Sequence, residues 1–328
     1  MPADSFSPWE SATALGQGTF GEVRRATRKK DGLPVALKRI FRGDRYEQEG
    51  LSHSAVREIR AMRELRHENL VELLDIFIEG GRITLVIELL SSTDLEGVVR
   101  GAAEGRLQLR AADVKAYTLM LLQGLAFLHE HMILHRDLKP SNCFISSSGV
   151  LKIGDFGFAR CASCLDGSLQ SPNACTQWYR APEMLLGACQ YGTAVDAWSA
   201  GCIFAELWHL KPLFRGDLEG GAGPNGEVHP EGHCEIDQLG KIFMHCGTPT
   251  ENTWPGISEL ARFVEFQPCT AAPKILPPEA DARTPGASEL LWALLTLDPN
   301  RRASAQDCLA HPYFSNTPPP TAPASLPK

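Results

Sequence analysis

Residues 135–142 read HRDLKPSN, and residues 155–157 read DFG. This short span holds the carboxylates of Asp137 and Asp155, the amide of Asn142 and the ammonium of Lys139. Each has a use in moving a phosphoryl group. Asp137 can accept the proton of a substrate hydroxyl, and Lys139 can neutralise charge on the group in transit. Asn142 and Asp155 supply hard oxygens of the kind magnesium prefers. Phosphoryl transfer is mainly positioning and charge neutralisation, so it needs a base, a cationic clamp and metal-binding oxygens.

Two upstream motifs argue against coincidence. Residues 15–23, LGQGTFGEV, carry G-x-G-x-x-G through Gly16, Gly18 and Gly21. Alone the pattern is weak, because dinucleotide-binding folds share it. That version needs a helix to begin at the last glycine. Here an alternating run with Val23 and Arg25 follows, and then a second strand. A glycine-rich hairpin folded over phosphates fits better, since glycine lets the backbone approach the anion. Next, VALK at 35–38 places Lys38 on a strand, where its ammonium can reach the α- and β-phosphates of a nucleotide. A lone strand lysine is usually only solvated. This one has a candidate partner in Glu58, on a helix predicted over 54–65 with Ala55, Ile59 and Met62 on one face. An ion pair between Lys38 and Glu58 would tie the lysine to that helix.

Bulk properties bound the rest. A chain of 328 residues suggests about two domains, and 43% hydrophobic residues are enough for a sizeable core. The net charge of −7 argues against a general nucleic-acid binder, which would want a basic face. The basic run RRATRKK at 24–30 reads as a solvated hairpin edge. Ten cysteines at irregular spacing, with no apolar signal segment before them, fit a reducing intracellular compartment, nucleus or cytoplasm or both. Pro2 excludes N-myristoylation. No apolar run is expected to approach membrane-spanning length, so no membrane partner is expected.

Periodicity divides the chain. VRRATR at 23–28 and PVALKRI at 34–40 flank a Lys-Asp-Gly turn and read as a hairpin. ITLVIELL at 83–90 reads as a buried strand. Beyond about 110 the signal becomes helical, with Val114, Tyr117, Leu121, Leu125, Leu128 and Met132 at steps of three and four. AVDAWSAGCIFAELW at 194–208 is apolar on nearly all faces and predicts a buried helix. The Gly- and Pro-rich stretch 218–234 predicts a surface loop; its His229, His233 and Cys234 lack a fourth metal ligand. The Pro-rich tail 315–328 is expected to be extended and to have no core.

Taken together, these motifs resemble a eukaryotic protein kinase over roughly residues 9–314. The resemblance implies an α+β, bilobal fold: a strand-rich N-lobe over 1–88, a helical C-lobe over 89–314 with an insertion at 218–234, and the tail. It implies transfer of the ATP γ-phosphate to protein serine or threonine, with Mg2+. Lys38, Glu58, Asp137 and Lys139 take catalytic roles, and Asn142 and Asp155 hold the metal. Leu15, Gly16, Gly18, Gly21, Val23, Ala36, Lys38, Ile87, Glu88, Leu90 and Phe144 surround ATP. Glu183 resembles the partner of an arginine near the C-terminus, here Arg302, and Asp196 the residue that braces the catalytic loop. A scaffold without catalysis is the rival reading, but such chains usually lose one of Lys38, Asp137 or Asp155, and none is lost.

WYRAPE at 178–183 resembles the proline-directed kinases, and no tyrosine lies between Gly157 and Tyr179, which points to the cyclin-dependent branch. HSAVREI at 53–59 resembles that branch's cyclin-binding helix, and EIDQL with GTPTENTWPG over 235–256 its C-lobe signature. A cyclin-like regulatory subunit is implied. Residues 116–140 and the tail resemble the CDK-activating kinase branch, whose substrates are the activation loops of cyclin-dependent kinases and the RNA polymerase II tail. ISSSGVLKI at 145–153 and the DGS of 166–168 look as close to its sister, the cell-cycle-related kinase, a branch without the polymerase activity.

In this family a phosphorylated loop residue docks on three arginines, and the matching positions are Arg57, Arg136 and Arg160. Clustered guanidiniums call for an anion. The matching loop position is Ser171, followed by Pro172; Ser168 is the second candidate, and an unmodified loop held by partner subunits the third. Thr176 matches the threonine that bonds the catalytic Asp and Lys. Cys161 and Cys164 form a C-x-x-C, but two ligands do not close a zinc site, so they read as surface thiols. Departures from the family cluster near the nucleotide. Ile87 stands where a Phe gatekeeper is usual, Phe144 where the adenine floor is usually Leu, and Gly154 precedes DFG. They imply a roomier back pocket with an aromatic floor. Ala174 and Cys175 replace bulkier substrate-facing residues, which leaves the strength of proline preference open.

Overall fold

The computed structural model describes residues 9–18, 21–40, 63, 65–79, 82–90, 93–156, 159–161, 177–215, 235–271 and 275–328. The first strands are β1 (Trp9–Gly18), β2 (Gly21–Arg28), β3 (Pro34–Ile40), β4 (Leu73–Glu79) and β5 (Arg82–Glu88). They form one antiparallel sheet in the order β1-β2-β3-β5-β4. The predicted hairpin is β2–β3. Gly32 in its turn has φ 73°, a left-handed conformation glycine adopts without strain, and the Arg28 amide bonds the Leu33 carbonyl at 2.8 Å.

Strand alternation gives the sheet two faces. Ala26, Val35 and Val86 lie on one, closing a small core with Trp9, whose ring stacks on Phe77. The other face carries Val23, Ala36, Lys38, Leu85 and Ile87: Val23 pairs with Lys38, Lys38 with Leu85, and Ala36 with Ile87. Leu85 on that face joins the main core, which continues through the helical part of the chain.

The helices are α1 (Leu95–Ala103), α2 (Ala111–Glu130), α3 (Pro182–Leu185), α4 (Ala194–His209), α5 (Glu235–Cys246), α6 (Pro278–Arg283), α7 (Ala287–Leu294), α8 (Ala305–Leu309) and α9 (Pro312–Ser315). Short strands β6 (Ile133–Leu134), β7 (Cys143–Ile145), β8 (Leu151–Ile153) and β9 (Arg160–Cys161) follow α2, pairing β6 with β9 and β7 with β8. Asp94 caps α1 by accepting the Gly97 amide at 2.8 Å, satisfying one of the free donors at the helix start. Helix α4 is buried on all faces, as its composition predicts, with Trp198, Ile203 and Phe204 fully enclosed.

Three sequence expectations are corrected here. Val114, Tyr117, Leu121, Leu125 and Leu128 are buried along α2, but Met132 is 52% exposed: the helix ends at Glu130, and Met132 turns away at φ 57°. Helix α2 is itself long and apolar enough to cross a membrane, contrary to the expectation that no run is; two-thirds of its most apolar window is buried inside the molecule, so its apolarity serves the core. Finally, the tail is not without a core. Leu326 is 4% exposed and belongs to the main cluster. Fully enclosed Lys115 donates from Nζ to the carbonyls of Asn316 at 2.7 Å and Pro318 at 2.8 Å. The Thr321 hydroxyl donates to Asp113 at 2.6 Å, and the Tyr117 hydroxyl donates to the Pro327 carbonyl. Of the predicted helix over 54–65 only Arg63, which is helical, and buried Leu65 are described; its other residues and the stretch 218–234, with His229, His233 and Cys234, lie outside the described residues.

Candidate active site

The stretch 135–142 is held from below by α4. Asp196, fully buried, accepts the amide of His135 and that of Arg136, each at 2.8 Å, and the ring Nε2–H of His129 at 3.0 Å. Burial alone would raise its pKa, but these bonds and the neighbouring imidazoles outweigh it and hold the carboxyl below its usual value. The carboxylate therefore braces a strained turn, since Arg136 sits at φ 67°, uncommon for a side chain with a Cβ. Asp196 thus does in this geometry what its resemblance implies.

His135 joins this stretch to DFG, a link the sequence reading missed. Its buried ring accepts the Asp137 amide at Nδ1, 3.3 Å away, which leaves the proton on Nε2 to donate to the Gly154 carbonyl at 3.0 Å. Its ring meets Phe156 edge-on at 5.5 Å. Asn142 makes the second link, its carbonyl accepting the Gly154 amide at 3.0 Å. Asp155 follows at φ 63°, so both DFG and HRD carry a left-handed, non-glycine residue.

The functional side chains converge across these links. Lys139 Nζ lies 3.0 Å from Asp137 Oδ2. Asn142 donates both amide hydrogens to Asp137, one to its carbonyl at 2.7 Å and one to its carboxylate at 3.1 Å, so Asn142 Oδ1 is left as an acceptor. Lys38 Nζ reaches Asp155 Oδ1 at 2.9 Å from the inner face of the sheet. Burial acts to raise the Asp155 pKa, but Lys38, with help from Lys139, prevails and keeps it low and ionised. Asn142 Oδ1 and an ionised Asp155 suit a hard divalent cation such as Mg2+, which needs few protein oxygens because phosphates and water complete its shell. Among the described residues no cluster of three His, Cys, Asp or Glu side chains makes a metal site of its own.

Around this centre lie the residues that the resemblance assigns to the nucleotide. Gly16 pairs with Val23, and Gly18 with Gly21, so the glycine pattern closes the β1–β2 hairpin and no helix begins at Gly21. A bulge between Ala14 and Gly16 carries Leu15, which is exposed. Ala36 is buried and Ile87 partly so. The Glu88 carboxylate is spent on structure, bonding Lys152 and the Glu72 amide at 2.8 Å each, which leaves the Glu88–Leu90 segment to act through its backbone. Phe144 lies half-buried on β7, its ring edge against Gly154.

Further out, Glu183 and Arg302 pair as the resemblance implies, with NH1 to Oε1 at 2.7 Å and NH2 to Oε2 at 3.0 Å, both side chains buried. Arg136 donates to the Tyr191 hydroxyl at 2.9 Å. Arg160 stands on β9 opposite Leu134, two residues from Arg136. Its side chain, Glu58, Arg57, Ser168, Ser171, Ala174, Cys175, Thr176 and Cys164 lie outside the described residues. Tyr179, which helps line a cleft beside Asp137, donates its hydroxyl to buried Glu206 at 2.6 Å; nothing in the local sequence pointed to that pair.

Comparison with known proteins agrees with this geometry. The model of the protein kinase domain matches residues 9–314. Cyclin-dependent kinase D-1 of Oryza sativa subsp. japonica is 42% identical over 316 residues, 96% of this chain and 68% of that protein. Among solved structures, the kinase in the CAK complex of Chaetomium thermophilum bound to ATP-gamma-S aligns with TM-score 0.80 at 35% identity, covering 98% of this chain and 95% of that one. The yeast RNA Pol II CTD kinase CTDK-1 complex aligns with TM-score 0.77 at 28% identity, covering 99% and 98%.

Proposed function

Because this chain belongs to the protein kinase family, as a serine/threonine kinase of the cyclin-dependent type, we propose that it phosphorylates the activation loops of cyclin-dependent kinases and the RNA polymerase II tail. It does so with a cyclin-like subunit bound near residues 53–59. The observation that carries the catalytic part is the convergence of Asp137, Lys139, Asn142 and Asp155 through direct bonds and through His135. Asp137 takes the proton of the substrate hydroxyl as its oxygen attacks the γ-phosphorus. Lys139, 3.0 Å from that carboxylate, neutralises charge on the transferring group. Lys38 orients the α- and β-phosphates, and Glu58 orients Lys38 when the 54–65 helix is docked. Mg2+, held by Asn142 Oδ1 and Asp155, would shield the phosphate charge. Gly16, Gly18 and Gly21 bring backbone amides to the phosphates, and the Ala36, Val23 and Phe144 side chains enclose the base.

The substrate part is supported by what the relatives do. One neighbour is the kinase of a CAK complex and the other of a CTD kinase complex. The test offers a heptad-repeat peptide and a catalytically dead cyclin-dependent kinase side by side, with and without a cyclin partner. Transfer to both, increased by the cyclin, is expected. Transfer to the kinase alone would move the chain to the sister cell-cycle-related branch. Phospho-Ser171, docked on Arg57, Arg136 and Arg160, belongs to the same proposal. Phosphopeptide mapping of fully active enzyme checks it, and an unmodified 168–171 segment would refute it.

A further inference from the structure

Gly154 is not a glycine for conformational reasons. It is absent from the positive-φ glycines, so any residue could adopt its backbone angles. What it lacks is room. A Cβ there would stand 2.7 Å from Val71 Cγ2, 3.0 Å from Phe144 Cε2 and 3.1 Å from Phe144 Cδ2. The backbone cannot retreat. Its amide is bonded to the Asn142 carbonyl and its carbonyl to His135 Nε2, each at 3.0 Å. The preceding residue is fixed as firmly, with the Ile153 amide on Asn69 at 2.8 Å and the Ile153 carbonyl accepting the Val71 amide at 2.9 Å. Any shift of the chain would move both metal-binding positions, Asn142 and Asp155.

The side chains must therefore give way, and they differ in their freedom. Val71 is buried within the main core. Phe144 is half-buried, held between fully buried Cys143 and Ile145 on β7. Its exposed part is what the nucleotide reading above assigns to adenine. We propose that Gly154 and Phe144 are a matched pair, with Gly154 the residue that positions the Phe144 ring in the nucleotide site. The bare Cα before Asp155 is the recess that lets an aromatic ring lie flat enough under the base to leave room for it. Enlarging residue 154 drives the ring upward into the space of adenine, and nucleotide binding weakens before the catalytic centre is touched.

The proposal rests on the ATP reading, and a binding experiment separates the two. MgATP dissociation constants are measured by calorimetry on the full chain for wild type, Gly154→Ala, Phe144→Leu and the double variant. Thermal melts of each without nucleotide report folding. Gly154→Ala is expected to weaken MgATP about tenfold, the scale of a single overpacked methyl. Phe144→Leu alone should cost about threefold, through the lost aromatic face. In the double variant the smaller side chain lets the methyl tilt away from Val71 Cγ2, its nearest contact, and affinity should return to within about twofold of Phe144→Leu. Equal affinity for wild type and Gly154→Ala overturns the proposal. So does a double variant as weak as Gly154→Ala. If Gly154→Ala fails to fold, the double variant decides: folding and binding support the pair, and unfolding refutes it. Wild type that binds MgATP without transferring phosphate would refute the catalytic reading and leave this test intact. Wild type that does not bind MgATP would refute both.

Discussion

Replacing Glu206 by Gln should stabilise the protein, and do so more at alkaline than at acidic pH. Glu206 is 4% exposed on α4, and its Oε2 accepts the Tyr179 hydroxyl at 2.6 Å. Burial raises its pKa from 4.5 to about 7; the Tyr179 bond pulls the other way but is outweighed, and Glu96 adds a smaller upward push. An acid whose folded pKa lies above its unfolded one favours the fold most when protonated. Its contribution is intact below pH 4.5 and is lost as pH rises through about 7. At about 1.4 kcal/mol per pH unit, the gap from 4.5 to about 7 amounts to about 3 kcal/mol, of which about 2 kcal/mol falls between pH 5.5 and 8.5. Gln carries no charge to lose, and its amide oxygen can still accept from Tyr179. For a chain of 328 residues, 2 kcal/mol corresponds to about 3 °C in Tm. Thermal melts of wild type and Glu206→Gln at both pH values test this. The Tm advantage of the variant should grow by about 3 °C from pH 5.5 to 8.5. An offset that stays the same at both would refute the reasoning, since it would mean that Glu206 does not titrate in that range in the folded protein.

Other perturbations follow from the same contacts. Arg302→Met leaves the Glu183 carboxylate buried without its partner and should cost about 3–5 kcal/mol in urea unfolding; a loss under 1 kcal/mol would contradict the pairing. Leu326→Ala should cost about 2 kcal/mol by the same measurement, because the tail is part of the core; an unchanged midpoint would mean that it does not dock in solution. Asp196→Asn loosens the turn at Arg136 and should lower kcat about 100-fold while leaving the MgATP Kd within about threefold, since it bonds the catalytic loop and not the nucleotide face. Equal kcat for wild type and variant would deny Asp196 its bracing role.

What could be read from sequence was what depends on neighbours along the chain. The β2–β3 hairpin follows from alternation on either side of a Gly-containing turn, and α2 and α4 from their apolar patterns. The candidate catalytic side chains were legible because chemistry fixes their types, and because Asp137, Lys139 and Asn142 stand within a few residues of one another. The tail was not, because its anchor Lys115 lies 201 positions before Asn316 and proline-rich composition carries no periodicity that marks a docking face. Its Leu326 alone gave a weak apolar hint. Met132 fits the helical step but stands past the helix end, where periodicity no longer applies. His135 was quoted within its motif, but its bond to Gly154 depends on how β6 and β8 bring the two stretches together. Gly154 itself was noticed as a departure; its tie to Phe144 and Val71 is a matter of space, which sequence does not display.

The most direct measurement is phosphate transfer from labelled ATP to a protein substrate by wild type and by Asp137→Asn, with MgATP binding followed in parallel. The side-chain oxygen 3.0 Å from Lys139 is replaced in one carboxylate-to-amide change, and the fold around it is kept. Wild type should transfer phosphate to serine or threonine, and the variant should lose about 100-fold to 10,000-fold in kcat while binding MgATP as before. A variant as active as wild type would contradict the assignment of Asp137 as the base, and with it the account of the site.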